Sequence, residues 1–272
     1  MRILSYSAFT TGLPDSGNPA GVVLDAEGIG RAEMQRIAAD LGFSETAFLT
    51  EITATSARIR YFTPLDEIAF CGHATVASGV ALARAGRGPV VVLSTKAGEV
   101  PVEVTAERAT LIAVDTTVSQ LADPLLDELL HALRLSRDDL DPALPPAFIR
   151  GGNPHPIVFV RDDALSSLDH DAAAVLHLQD REGWDGTVPV VTRRAPLRFS
   201  SRNPFPRGGI REDPATGSAA AGLGYYLRAG GHVTLPAAIE VEQGAEAGRP
   251  SLLHVEIRVE GRVRVTGTAE EL

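Results

Sequence analysis

Apolar residues recur along this chain in two rhythms. Residues 3–9, 21–24, 47–49 and 58–62 are short runs rich in apolar, β-branched and aromatic side chains, which predicts strands. Between them Met34, Ile37, Ala38 and Leu41 follow the i, i+3, i+4, i+7 spacing of one helical face, predicting a helix over 31–41 that Gly42 terminates. Residues 73–84 form a compact Ala-rich segment read as a second helix, closed by Gly86. Three β-rich runs then fill 90–114, separated by Gly98 and by Ala106-Glu107-Arg108. The strand pattern stops over 116–123, the expected boundary between an N-terminal half, 1–118, and a C-terminal half, 119–272, whose last strand is free to pack on the first half.

After the boundary, Asp123-Pro124 has the residue types of an N-cap and first helical turn, and Leu125, Leu126, Leu129, Leu130 and Leu133 share one face. The Pro-rich stretch 141–146 is expected to end this linking helix. Strands are predicted at 157–160 and 188–191, with helices near 171–178 and at 217–228, the latter closed by Gly230. Residues 252–259 alternate apolar with polar, turn at Glu260-Gly261 and return through Val263 and Val265, a hairpin.

The unusual short motifs occur twice in the same order. Gly17-Asn18-Pro19 leads into an apolar run, as does Gly152-Asn153-Pro154; Cys71-Gly72-His73-Ala74-Thr75 opens the first Ala-rich helix and Asp213-Pro214-Ala215-Thr216-Gly217-Ser218 opens the corresponding later one. The copies are offset by about half of the 272 residues. Two related α/β halves follow, each offering a glycine-bearing helix N-terminus, and a cleft between them is a natural ligand site.

A composition of 44% hydrophobic and 22% charged residues supports an ordinary globular core. The net charge of −10, without clustered Lys and Arg, excludes nucleic acid as the main partner and leaves a small molecule as the default. With Cys71 as the sole cysteine, an intrachain disulfide is impossible and a Cys-based structural zinc site is not expected. The start of the chain lacks a signal-peptide h-region and no stretch approaches a membrane span, so a soluble cytoplasmic protein is expected.

Several residues carry chemistry. At Gly72, backbone N–H groups at a strand-to-helix turn face a ligand, and the helix dipole favours an anion; beside it His73 is expected to have a lowered pKa and act as a neutral proton relay. The plainer reading is a tight turn with a surface histidine. Asp213 stands at the rim of a second such pocket, where Gly217 and Ser218 present N–H donors; the competing reading is ordinary N-capping. Glu45, flanked by aromatic and aliphatic residues, would if inward-facing have its pKa raised by desolvation into the range of a general base, although taken alone it reads as a solvated residue before a strand. Asn18 and Asn153 either make turns or orient substrate through their amides. No G-x-S-x-G elbow, Walker A loop or His-Glu-x-x-His helix is present, Gly222-Leu223-Gly224 is weak evidence for NAD, and His131, His155, His170, His177, His232 and His254 show no metal-ligand spacing.

Five segments in order, Phe9-Thr10 with Gly17-Asn18-Pro19-Ala20-Gly21-Val22-Val23, Ser44-Glu45-Thr46-Ala47-Phe48, Arg60-Tyr61-Phe62-Thr63-Pro64, Cys71-Gly72-His73-Ala74-Thr75 and Glu212-Asp213-Pro214-Ala215-Thr216-Gly217-Ser218-Ala219, resemble the PhzF-like phenazine-biosynthesis isomerase family. The resemblance implies the diaminopimelate epimerase-like fold: two pseudo-symmetric α/β (α+β) halves, each a curved sheet or barrel around a central helix, with the site between them, in a homodimer. It implies an isomerase that moves a proton between carbons of a small, anionic metabolite such as a dihydro-hydroxyanthranilate, with no metal or organic cofactor. Glu45 corresponds to the general acid/base; His73, Asp213 and Ser218 lie near the proton path, Asn18 near the substrate, and Gly72 and Gly217 at helix starts that hold its polar groups. Two-thiol racemases of this fold use one cysteine per half, and the second half here has none. The alternatives are an epimerase with Glu45 and Asp213 as opposed bases at a carbon beside a carboxylate, and a non-catalytic metabolite-binding protein of the same fold. Cys71 reads as a small buried turn residue.

Overall fold

The computed structural model describes residues 2–272. The first half runs β1 (Ile3–Ala8), β2 (Asn18–Val23), α1 (Arg31–Leu41), β3 (Glu45–Thr50), β4 (Ser56–Phe62), β5 (Glu67–Ile68), α2 (Gly72–Arg84), β6 (Val90–Thr95), β7 (Gly98–Val104) and β8 (Arg108–Ile112). β9 (Thr117–Gln120) ends the first half, and the second runs α3 (Asp123–Leu133), β10 (Ala147–Arg150), β11 (Pro154–Phe159), α4 (Asp162–Ser166), α5 (Ala172–Glu182), β12 (Val190–Ala195), β13 (Arg198–Arg202), α6 (Gly217–Ala229), β14 (Ala237–Gln243), β15 (Ser251–Ile257) and β16 (Arg264–Glu271).

The repeat read from the motifs is a repeat of strand pairings. β1 and β2 are antiparallel, β2 and β3 parallel, β3 and β4 antiparallel, β4 and β6 parallel, then β6, β7 and β8 antiparallel. From β10 through β16 the same senses recur in the same order. β16 also pairs with β8 through Arg264–Thr268 and with β1 through Ala269–Glu271, which closes the first half into an eight-stranded barrel. β9 makes the reciprocal move: it follows β8 and pairs with β10 of the second half.

A helix that is apolar all round belongs inside a core. α2 is buried from Gly72 to Leu82, with Ala74, Ala77 and Ala81 small enough to let the strands of the barrel close around it. α6 fills the same place in the second half, with Ala219 to Leu227 buried. The amphipathic helices lie outside. α1 covers β3 and β4 through Met34, Ile37 and Ala38 against Phe48 and Phe62, and Gly42 ends it in the left-handed region at φ 68°. α3 and α5 cover the second sheet through Leu126, Leu129, Leu133, Val175 and Leu178.

Five elements depart from expectation. The supposed strand-free stretch 116–123 contains β9, whose sequence Thr-Val-Ser-Gln holds one apolar residue and lies largely exposed, so it carries no hydrophobic signal. α3 is capped by Ala122, with Asp123 and Pro124 already in its first turn, and it ends at Leu133 because Arg134 adopts φ 55°, well before the prolines of 141–146. β10 is only four residues long and follows Pro145-Pro146 directly, and β13 is short and mostly polar. β14 was legible in principle, since Ala237, Ile239 and Val241 alternate with polar residues and are buried.

Candidate active site

α2 and α6 point their N-termini at each other across the boundary between the halves. A Cβ on Gly72 would sit 3.1 Å from the Gly217 Cα and 3.3 Å from its N, closer than ordinary packing permits against backbone. Glycine is therefore required at this junction for the helix starts to approach. Beside them opens a cleft of about 570 Å³, within the range of small-molecule sites, lined by Glu45, Gly72, His73, Asp213, Gly217 and Ser218 among others.

β3 begins at Glu45 and its register beside β2 sets Glu45 against Ala20, which aims the carboxylate at the N-terminus of α2. Glu45 Oε2 lies 3.1 Å from His73 Nε2, and both side chains are almost fully buried. This is a contact of charge without hydrogen-bond alignment: Oε2 has no hydrogen-bond partner. Ser44 Oγ, 3.2 Å from His73 Nε2, holds the other approach to that nitrogen, and Cys71 Sγ stands 3.3 Å from Nδ1.

Asp213 enters from the segment before α6. Its Oδ1 accepts from Asn18 Nδ2 at 2.7 Å and its Oδ2 from Thr216 Oγ1 at 2.5 Å, while its backbone N–H donates to Asn203 and its carbonyl accepts from Gln243 Nε2 at 2.6 Å. The neighbouring Glu212 is locked in a buried pair with Arg202, at 2.5 Å, and Arg202 also donates to the Leu168 carbonyl. Asp213 is thus fixed from both sides. Asn18 is buried behind these groups, its amide donating to Asp213 and standing 3.1 Å from His73 Nδ1, so it links the two halves of the cluster.

Two pKa directions reverse the sequence reading. Burial works to raise the Glu45 carboxyl, but the charge of His73 and the polar contacts of His73, Ser44 and Cys71 outweigh it, and the pKa is lowered. Burial works to lower His73, and its contacts with Cys71 and then Glu45 outweigh it and raise the pKa well above the ordinary value. The helix terminus that was expected to keep His73 neutral is overridden by a carboxylate at contact distance. Asp213 goes the other way, pushed up to about 6 by burial, with Glu45 adding to the rise and His73 opposing it. At neutral pH the first half presents an imidazolium–carboxylate pair, and the second a carboxyl poised to gain or lose a proton.

Cys71 is the buried N-cap of α2, its thiol pushed up to about 11 by burial and by Glu45. Its sulfur, a Glu45 oxygen and a His73 nitrogen lie within 4.8 Å of one another, a spacing that could also take a cation. Thr216, N-cap of α6, occupies the corresponding place in the second half, where its hydroxyl serves Asp213. Ser218 lines the cleft one residue into α6 and contacts His155, which the sequence reading set aside; the only signal for His155 was its place in the repeat, two residues after Asn153 as Ala20 is two after Asn18.

Two α/β halves wrapped around facing central helices give the diaminopimelate epimerase-like fold. The chain belongs to the phenazine biosynthesis-like protein family (PhzC-PhzF), whose model matches residues 6–271. It is 32% identical to the uncharacterized isomerase YddE of Escherichia coli over 98% of this chain and 95% of that protein. It is 34% identical to the trans-2,3-dihydro-3-hydroxyanthranilate isomerase of Pseudomonas fluorescens over 92% of this chain and 87% of the relative. The crystal structure of the Bacillus anthracis phenazine biosynthesis protein of the PhzF family superimposes with a TM-score of 0.86 at 28% identity, covering 100% of this chain and 98% of the other. The protein is an enzyme of this isomerase family. The crystal structure of a probable proline racemase from Agrobacterium radiobacter, at 14% identity and a TM-score of 0.65, shares the fold.

Proposed function

We propose that the protein is a cofactor-independent isomerase that moves a proton between carbons of a small anionic metabolite, similar to a trans-2,3-dihydro-3-hydroxyanthranilate, with Glu45 as general acid/base. The observation that carries this reading is the buried Glu45 Oε2, which faces the cleft region without a hydrogen-bond partner beside a protonated His73. An ionised carboxylate whose oxygen is held by charge alone, with no aligned hydrogen bond, can take an acidic C–H proton, and the same group returns the proton to another carbon. The facing N-termini of α2 and α6, at Gly72, Gly217 and Ser218, supply dipoles and N–H donors for the anion that forms. Arg207 is the fixed cation of the cleft and is already paired with Asp180 and Asp185, so binding of a substrate carboxylate falls to these helix starts.

Incubation with trans-2,3-dihydro-3-hydroxyanthranilate in deuterated water, followed by NMR, tests the reading. Double-bond migration with deuterium incorporation is expected in the wild type, slowed roughly 10²- to 10⁴-fold in Glu45→Gln. A fully active Gln variant would remove Glu45 from the mechanism.

One observation favours a second reading, epimerisation beside a carboxylate. Glu45 and Asp213 come from opposite halves and are both buried at the one cleft, as opposed bases must be. Inversion of a stereocentre with exchange at a single carbon would select it. The family resemblance also carries a cytoplasmic homodimer, expected as twice the chain mass of 28.7 kDa in light scattering.

A further inference from the structure

The cleft is also lined by a hydrogen-bonded pair from the second half, His155 and Ser218. His155 lies on β11 at the position that Ala20 holds on β2, and its side chain is buried. Its Nδ1 stands 3.0 Å from the Thr187 backbone carbonyl, an oxygen that only accepts, so Nδ1 carries the proton. Nε2, 2.9 Å from Ser218 Oγ, then has a lone pair and takes the serine proton. Burial pushes the His155 pKa down to about 4, which keeps the ring in this neutral form. The Thr187 hydroxyl, 3.3 Å from Nδ1, is itself held by Asn203. Asn153 Nδ2 donates to Ser218 Oγ at a long 3.5 Å. With its own proton spent on His155, Ser218 meets the cleft as an acceptor.

We propose that His155 is a positioning residue that fixes the direction of the Ser218 hydroxyl proton, so that the site selects ligands bearing an N–H or O–H donor where they meet Ser218. The inference rests on the cleft being the substrate site, as proposed above, and it narrows the substrate class: an anion of which one ring or chain substituent is an amine or hydroxyl donor. A serine free to rotate would welcome donors and acceptors alike; one held by a buried imidazole disfavours a ligand that lacks the donor, because the lone pair that Asn153 does not meet then goes unpaired.

Three stable probes separate the contributions: 3-hydroxyanthranilate, which carries both amine and hydroxyl, anthranilate, which lacks the hydroxyl, and 3-hydroxybenzoate, which lacks the amine. By calorimetry the wild type is expected to bind the first at least about 10-fold more tightly than one of the two deletion probes. That ratio should fall within about 3-fold in His155→Phe and Ser218→Ala, and should persist in His155→Gln, whose amide can still accept from Ser218. Nitrogen-15 NMR of the free wild-type protein should show His155 protonated at Nδ1 and bare at Nε2, a readout that needs no variant to fold. An Nε2–H tautomer, or an unchanged ratio in folded His155→Phe, overturns the inference. Tight but indiscriminate binding overturns it while leaving the proposed function intact. Retained discrimination without turnover of the dihydro substrate does the reverse, and failure of all three probes to bind overturns both.

Discussion

At the scale of single residues, the site is governed by which charges are neighbours. Glu45, His73 and Asp213 are all buried, yet burial alone would push both carboxyls up and the imidazole down. The imidazole settles the outcome by pairing with Glu45, and Asp213 is left as the carboxyl that is costly to ionise. This has a thermodynamic signature. The Asp213 pKa is raised to about 6 in the fold, so over the interval from the ordinary aspartate range to about 6 the folded state binds more protons than the unfolded one, and stability falls as pH rises. The expected loss is about 3 kcal/mol across that window. Asp213→Asn should remove most of this slope, measured as urea unfolding free energies at pH 4 and pH 8; a variant with the wild-type slope would show that Asp213 does not titrate there. The positions of these residues in motifs were legible from the chain. Their protonation was not, because Glu45 and His73 meet only through the packing of β3 on the start of α2.

At the scale of elements, the two central helices make the site by meeting end to end. The junction is asymmetric. A Cβ added at Gly72 runs into Gly217 backbone at 3.1 Å, whereas one added at Gly217 meets Gly72 Cα, Phe9 and Leu111 no closer than 3.5 Å, which is ordinary contact. Gly72→Ala is therefore expected to cost about 1–3 kcal/mol and most of the activity, since the helix starts must part. Gly217→Ala should cost less than about 1 kcal/mol, within the range of a substitution that finds room. Equal thermal-shift losses in the two variants would contradict the geometry. Supporting elements carry charge pairs of their own, and Arg202, held by Glu212 at 2.5 Å and by the Leu168 carbonyl, anchors the approach to Asp213. Arg202→Ala should destabilise the fold by about 3–5 kcal/mol, because it leaves Glu212 buried and unpaired; chemical denaturation measures it. The sequence held no clue to this anchor, as its partner lies ten residues on in an irregular segment.

At the scale of the whole molecule, the halves are tied by exchange of their last strands. β16 pairs with β15 of its own half, with β8 and, at its end, with β1, while β9 extends from β8 to pair with β10. A chain lacking residues 264–272 would leave β1, β8 and β15 with open edges and the first barrel unclosed, so it is expected to aggregate or to lose its single sharp unfolding transition. A soluble truncation with the native circular dichroism spectrum and melting profile would show that the barrel closes without it. The sequence by itself determined the helices over 31–41 and 217–228, most strands and the repeat of the motifs that carry Glu45, His73, Asp213 and Ser218, because these depend on periodicity and on residues close in the chain. Only the tertiary structure decided the double role of β16, the place of Asn18 behind the acid pair, the opposed pKa directions and the pairing of His155 with Ser218. Each of these depends on distances between atoms far apart in sequence, and both hydrogen bonding and the interaction of charges in a buried site follow distance rather than residue type.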